Sequence, residues 1–397
     1  MPKYWSRSAG RSRTDGRALP GWRPLCGAAA AVSLAVTLAP GTAFAASAGA
    51  PRAAAVNALL AGVTAGSATD AWAVGDFTVT ATNAQQALIE HWNGTSWTKA
   101  ANPALTGSEL VGVSEVSATD AWAVGKYQTT VLGVPLIEHW NGTRWTQAST
   151  SSLGSGITLT GVSADSATDA WAAGYHQGSA GTQALMLHWN GTAWSQVTIP
   201  SPVGFNLLYG VSAVSATDAW AVGSYTNSAS AVQAFLLHWD GASWTQFATP
   251  AASSVLRGVS ADSATDAWAV GYQASGKTLV MHDSGSGWTQ VASPSPGASE
   301  SNFGMGVSAL SAADAWAAGT YGGTGGALKT LVLRDTGTGW AKTASPDPGT
   351  ANVLIGVSAD SAADAWGVGW YQSSTGATKT LTVHWNGTGW TKVASPN

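Results

Sequence analysis

Ser215-Ala216-Thr217-Asp218-Ala219-Trp220-Ala221-Val222-Gly223 is one of seven near-copies of the same stretch, and that recurrence decides the fold. The shared Asp-Ala-Trp places Trp72, Trp122, Trp171, Trp220, Trp268, Trp316 and Trp366 at intervals of 48 to 50 residues. A second tryptophan closes each unit, at Trp97, Trp145, Trp194, Trp244, Trp288, Trp340 and Trp390. Around Trp220 lie four strand-like runs, at 208–214, 218–225, 234–239 and 243–248, separated by Gly, Ser, Thr, Asn and Asp. Four short strands per unit of about fifty residues match a propeller blade; the runs are too short and too rich in Val, Trp and Thr for a helical solenoid. The fold class is therefore all-β: a seven-bladed β-propeller with four antiparallel strands per blade.

Side chains alternate along a strand, so Trp220 and Val222 share one face while Ala219, Ala221 and Gly223 share the other. A bulky face on one blade then fills the shallow face of the next. The first run carries a glycine in every copy (Gly62, Gly112, Gly161, Gly210, Gly258, Gly306, Gly356), expected where the blades converge on the axis and a Cβ has no room. The blades span about 58–104, 105–153, 154–203, 204–251, 252–298, 299–350 and 351–397. No additional strand is evident in 46–57, so the ring is expected to close by packing.

Only 10% of the 397 residues are charged and the formal net charge is -4, which leaves no basic stripe for nucleic acid or an anionic membrane surface. Residues 1–45 differ from the rest: basic residues from Lys3 to Arg23, an apolar run over 28–38, then Ala43-Phe44-Ala45. This order reads as a secretory signal peptide, followed by a short linker at 46–57. The apolar run falls short of the ~20 residues of a spanning helix, so no membrane span is expected in the mature chain. No Arg-Arg pair is present, so the general export route is expected, giving a secreted, extracellular protein. The single Cys26 precedes the apolar run, so the exported chain would fold without disulfides.

Asp283-Ser284-Gly285-Ser286-Gly287-Trp288 and Asp335-Thr336-Gly337-Thr338-Gly339-Trp340 resemble the Asp-box hairpin turn of sialidase-like propellers. The repeat as a whole is similar to the propellers of photosystem assembly and stability factors, whose units carry a Trp-Ala-Val-Gly strand followed by such a turn. The resemblance covers all seven repeats and implies the propeller architecture. In those families the box braces blades on the side away from the ligand. In the other five units of this chain the acid is replaced by Asn or shifted by one residue.

Sialidase chemistry needs three convergent arginines, whereas only Arg52, Arg144, Arg257 and Arg334 follow the signal peptide, in positions that do not converge. Acids outside the repeat pattern, such as Glu109, Glu115 and Glu300, keep a glycoside hydrolase or lyase as the alternative. No catalytic constellation is evident. Six histidines recur at the third-strand position, too far from the axis to share one metal, so packing or hydrogen bonding is expected of them. The repeated aspartates are expected to staple the turn after the first strand. Asn93, Asn141, Asn190 and Asn386 precede Gly-Thr and read as tight hairpin turns rather than glycan acceptors. No metal and no cofactor is implied.

Turns after the second and fourth strands vary in length and share one face of the ring, where binding is expected. Beside the glycines, on the residue taken to open the first strand, Tyr209 and Arg257 occupy adjacent blades at the channel mouth, with Phe205 and Phe303 on neighbouring loops. These four are the candidate ligand-binding residues. A further aromatic follows the second strand in every unit (Phe77, Tyr127, Tyr175, Tyr225, Tyr272, Tyr321, Tyr371) and is expected to pack at the strand end. The function expected is a non-enzymatic, monomeric binding or scaffold module for an unknown protein or extracellular glycan.

Overall fold

The computed structural model describes residues 55–79, 81–128, 133–178, 181–202, 204–297 and 302–396. The expected signal peptide lies outside the described residues, and the first strand, Ala55–Ser67, begins inside the stretch expected as linker. Seven sheets follow, each of four strands consecutive in sequence. In the fourth blade they are Asn206–Ser215, Asp218–Thr226, Val232–Trp239 and Trp244–Gln246, all antiparallel to their neighbours. Apart from one 3-10 turn at Thr324–Gly326, every regular element among the described residues is a strand. The protein is a seven-bladed β-propeller.

Local chemistry sets the turns. In the first turn of the fourth blade Thr217 N–H donates to Ser215 Oγ at 3.3 Å. The serine is thus the staple, and the aspartate expected in that role is used elsewhere: Asp218 reaches across to His238 on the third strand. The distant hairpin is held by asparagine, since Asn93 Oδ1 accepts from both Thr95 and Ser96 N–H at 3.0 Å while Gly94 supplies φ 86°. Asp283 and Asp335 do the same work one residue earlier, accepting from Gly285 and Gly287 and from Gly337 and Gly339.

Blades stack as the alternation requires. Trp220 and Val222 of the fourth blade pack against Ala267 and Ala269 of the fifth, and Trp366 and Val368 of the seventh against Ala71 and Ala73 of the first. Each second-strand tryptophan meets the closing tryptophan of the next blade edge-to-face, with centroids 5.0–5.2 Å apart at all seven junctions. That geometry suits the ring quadrupoles, and each indole buries on the order of 200 Å².

The first strands pack side by side around the axis, that of the seventh blade (Ala351–Ser361) against that of the first. A Cβ placed on any of their seven glycines would come within 2.7–3.4 Å of the next blade's first strand. Two residues beyond the glycine, Ser114 Oγ accepts the backbone N–H of Ala164 on the following blade, at 3.1 Å. Thr64, Ser163, Ser212, Ser260, Ser308 and Ser358 repeat this, and the last link, Ala65 N–H to Ser358 Oγ at 3.0 Å, closes the circle. The ring closes through side-chain packing and this hydrogen-bonded circle, without exchange of a strand.

Candidate functional site

The residues beside the axial glycines do not open the first strand; they sit inside it, on a bulge. Pairing with the second strand passes from Leu208 to Gly210 and from Leu256 to Gly258, so that Tyr209 and Arg257 have no cross-strand partner. The cause lies on the second strand: a Cβ on Gly223 or Gly271 would fall 2.0 or 1.9 Å from the carbonyl oxygen of Leu207 or Val255. Only glycine lets the first strand buckle there, and a bulge re-aims the side chain it carries. All seven blades share the device, with Ala61, Val111, Thr160, Met305 and Ile355 at the other bulges.

At blades four and five the bulge residues meet, and ring contacts carry the cluster on to blade six. The Arg257 guanidinium stacks on the Tyr209 ring, 3.9 Å from its centroid, and lies 5.8 Å from that of Tyr272. Arg257 Nη2 donates to Tyr272 Oη at 3.4 Å, a long bond, and buried Nε has no acceptor. Tyr272 in turn meets Phe303 edge-on at 4.9 Å. No salt bridge to Arg257 occurs among the described residues. Phe303, expected on a loop, lies in the strand Asn302–Ser311 opposite Thr320. Phe205 is on a loop and 48% exposed, and its carbonyl accepts the N–H of Thr226. No ring contact joins Phe205 to the other three among the described residues.

Tyr272 is the member that sequence reasoning missed. The aromatics after the second strand are not in one register: Tyr127, Tyr225, Tyr321 and Tyr371 stand two residues after the strand's glycine and pack against the interblade cores. Tyr272 and Tyr175 stand one residue after it. A one-residue slip turns a strand side chain to the opposite face. Counting from Gly271 reveals this in the sequence.

The equivalent junction between blades one and two is acidic. Asp76 stands opposite Leu59 as Tyr272 stands opposite Val255, and Glu109 faces Lys126 as Phe303 faces Thr320. Gln85 Nε2 donates to Glu109 Oε2 at 3.2 Å, and Lys126 Nζ is 3.4 Å from Glu109 Oε1. Burial pushes the Asp76 carboxyl up to about 7, a hydrogen bond from Gln85 opposing and the charge of Glu109 adding to the rise.

The histidines are engaged blade by blade. His91 lies 2.6 Å from Asp70 and stacks on Trp72 at 4.2 Å; His139, His188, His238, His282 and His384 have the same two partners in their own blades. In the sixth blade Arg334 takes this place, donating from Nε and Nη2 to both oxygens of Asp314 and lying 4.5 Å from the Trp316 ring centre. Among the described residues no group of three or more His, Cys, Asp or Glu is arranged to hold a metal. No helix among them is long and apolar enough to cross a membrane.

No protein-family model and no curated protein matches the sequence. Solved structures do. One is YCF48 bound to D1 peptide, at 14% identity, covering 80% of this chain and 92% of that one with a TM-score of 0.51. The BP39L lectin from Burkholderia pseudomallei is 12% identical and covers 86% and 100%, with a TM-score of 0.52. The GH74 xyloglucanase from Xanthomonas campestris is 13% identical and covers 85% of this chain but 53% of its own, with a TM-score of 0.57. The likeness is one of fold. It is shared with a peptide-bound YCF48, a lectin and a xyloglucanase.

Proposed function

We propose that this chain is an exported, monomeric and non-enzymatic binding module that holds a protein or an extracellular glycan at the loop face of its propeller. Export is supported by the basic, apolar and small-residue order of residues 1–45. The observation that carries the reading is the Tyr209, Arg257, Tyr272 and Phe303 cluster. In a ring whose repeated polar groups serve turns and blade contacts, it gathers a guanidinium and three aromatic rings across three blades. Matching folds that bind peptide or belong to lectins are consistent with such a role. The test is a screen of the full chain against glycans, cell-wall fragments and culture-supernatant proteins, beside Tyr209→Ala and Arg257→Ala variants checked for folding by circular dichroism. Binding lost in both folded variants supports the site; binding unchanged in both removes it.

A second reading, glycoside hydrolysis, draws on Asp76 and Glu109. A carboxyl that burial raises to about 7, with a second carboxyl on the neighbouring blade, is the kind of pair that glycosidic cleavage uses. Release of reducing ends from a polysaccharide panel, abolished by Asp76→Asn and by Glu109→Gln, would establish it. Release by neither the native chain nor its variants ends it.

A further inference from the structure

We infer that the ligand of the Arg257 cluster is an acidic polysaccharide, and that the cluster receives the carboxylate of a hexuronate residue; this rests on the binding role proposed above. A half-buried guanidinium with no acidic partner among the described residues is a cost to the fold unless an anion completes it. Its terminal donors are underused, since Nη2 has one long bond to Tyr272 Oη; Nε has no acceptor either but is closed to solvent, so a ligand must be met by the terminal nitrogens. Stacking on Tyr209 fixes the plane of the guanidinium, which suits it to the planar, bidentate carboxylate rather than to a neutral hydroxyl.

The surroundings favour a sugar as carrier of that carboxylate. Tyr272 and Phe303 follow the guanidinium in steps of 5.8 and 4.9 Å, so aromatic surface begins within about one pyranose of the charge. The C–H face of a sugar ring packs on such surface as other apolar groups do. An extended peptide would instead seek a free strand edge. The inner edges here are occupied by one another: a Cβ on Gly258 would meet Met305 O at 2.9 Å, and one on Gly210 would meet Arg257 O at 3.2 Å.

The experiment titrates the full chain with oligogalacturonate, with the same oligomer after its carboxyls are reduced to alcohols, and with oligoglutamate, by calorimetry at low and high salt. Arg257→Ala and Arg257→Lys are run beside it, each checked for an unchanged melting temperature. The expected result is saturable binding of oligogalacturonate, weakened by salt. It should fall at least tenfold on carboxyl reduction and in Arg257→Ala, and in part in Arg257→Lys, which keeps the charge but loses the fork. Equal affinity for the reduced oligomer overturns the carboxylate while leaving a glycan-binding module standing. Preference for oligoglutamate overturns the sugar. If none of the three binds while another partner is captured at the same site, the inference falls alone; if nothing binds, the broader reading falls with it. Should Arg257→Ala not fold, Phe303→Leu, in which the aromatic step is removed, must weaken the oligogalacturonate by several-fold or the geometry is wrong.

Discussion

Ser212 Oγ on the fourth blade accepts the backbone N–H of Ala261 on the fifth at 3.0 Å, one of the seven links of a closed circle around the axis. Ser212→Ala leaves that N–H, among packed first strands, without an acceptor. We expect a loss of about 1 kcal/mol, read as a shifted urea midpoint with unchanged slope. Ser358→Ala, at the junction of the seventh and first blades, should cost a similar amount if closure there is equivalent to the other contacts.

Two glycine substitutions should separate close approach from mere occurrence of glycine. Gly223→Ala places a methyl 2.0 Å from the carbonyl oxygen of Leu207 and must undo the bulge that carries Tyr209. A loss of several kcal/mol or failure to fold is expected. Gly389→Ala meets no atom within 4 Å and should leave the melting temperature within about one degree.

Glu90 predicts a pH dependence. Its side chain is fully buried on the third strand of the first blade, and burial pushes its carboxyl from 4.5 to about 8, with the charge of Lys99 opposing. The folded state therefore holds a proton that the unfolded chain releases at lower pH. Its stabilising effect is complete below 4.5 and is lost progressively as pH rises to about 8. Glu90→Gln should leave stability nearly unchanged at pH 4 and raise it by a few kcal/mol, as an order of magnitude, at pH 9. Denaturant unfolding of both proteins at the two pH values checks this.

Arg334 occupies a histidine's place. Arg334→Ala breaks a two-pronged bond to Asp314 and a contact with the Trp316 ring, both partly exposed, so about 1–3 kcal/mol should be lost. Arg334→His should recover much of this, since the other six blades are built that way. Equal losses in the two variants would mean that the bonds only a guanidinium makes here, the second one to Asp314 and that to the Ala362 carbonyl, are what matter.

The blade architecture was legible because it depends on residue size at a period of two, and Trp220, Val222, Ala267 and Ala269 display size directly. The role of Asp218 was not, because its partner His238 is 20 residues away and only the folded hairpins bring them together. The same holds for Asp76 and Glu109, which belong to different blades. Tyr209 and Arg257 could be placed on adjacent blades from the glycines that follow them, but their stacking needed the bulge, which is written on the other strand, at Gly223 and Gly271. Phe303 was misplaced because its strand begins immediately before it, at Asn302, where residue type gives little boundary signal.

Each blade is one unbroken stretch of sequence, and the junction of the seventh blade with the first repeats the contacts of the other six. The order in which the blades are joined therefore has no privileged origin. A circularly permuted gene, with residues 55 and 396 tethered by a flexible linker and new ends opened in the exposed bend at Ala252 and Ser253, should encode the same ring. Duplication or loss of a whole blade, by contrast, changes the angle every remaining neighbour must subtend.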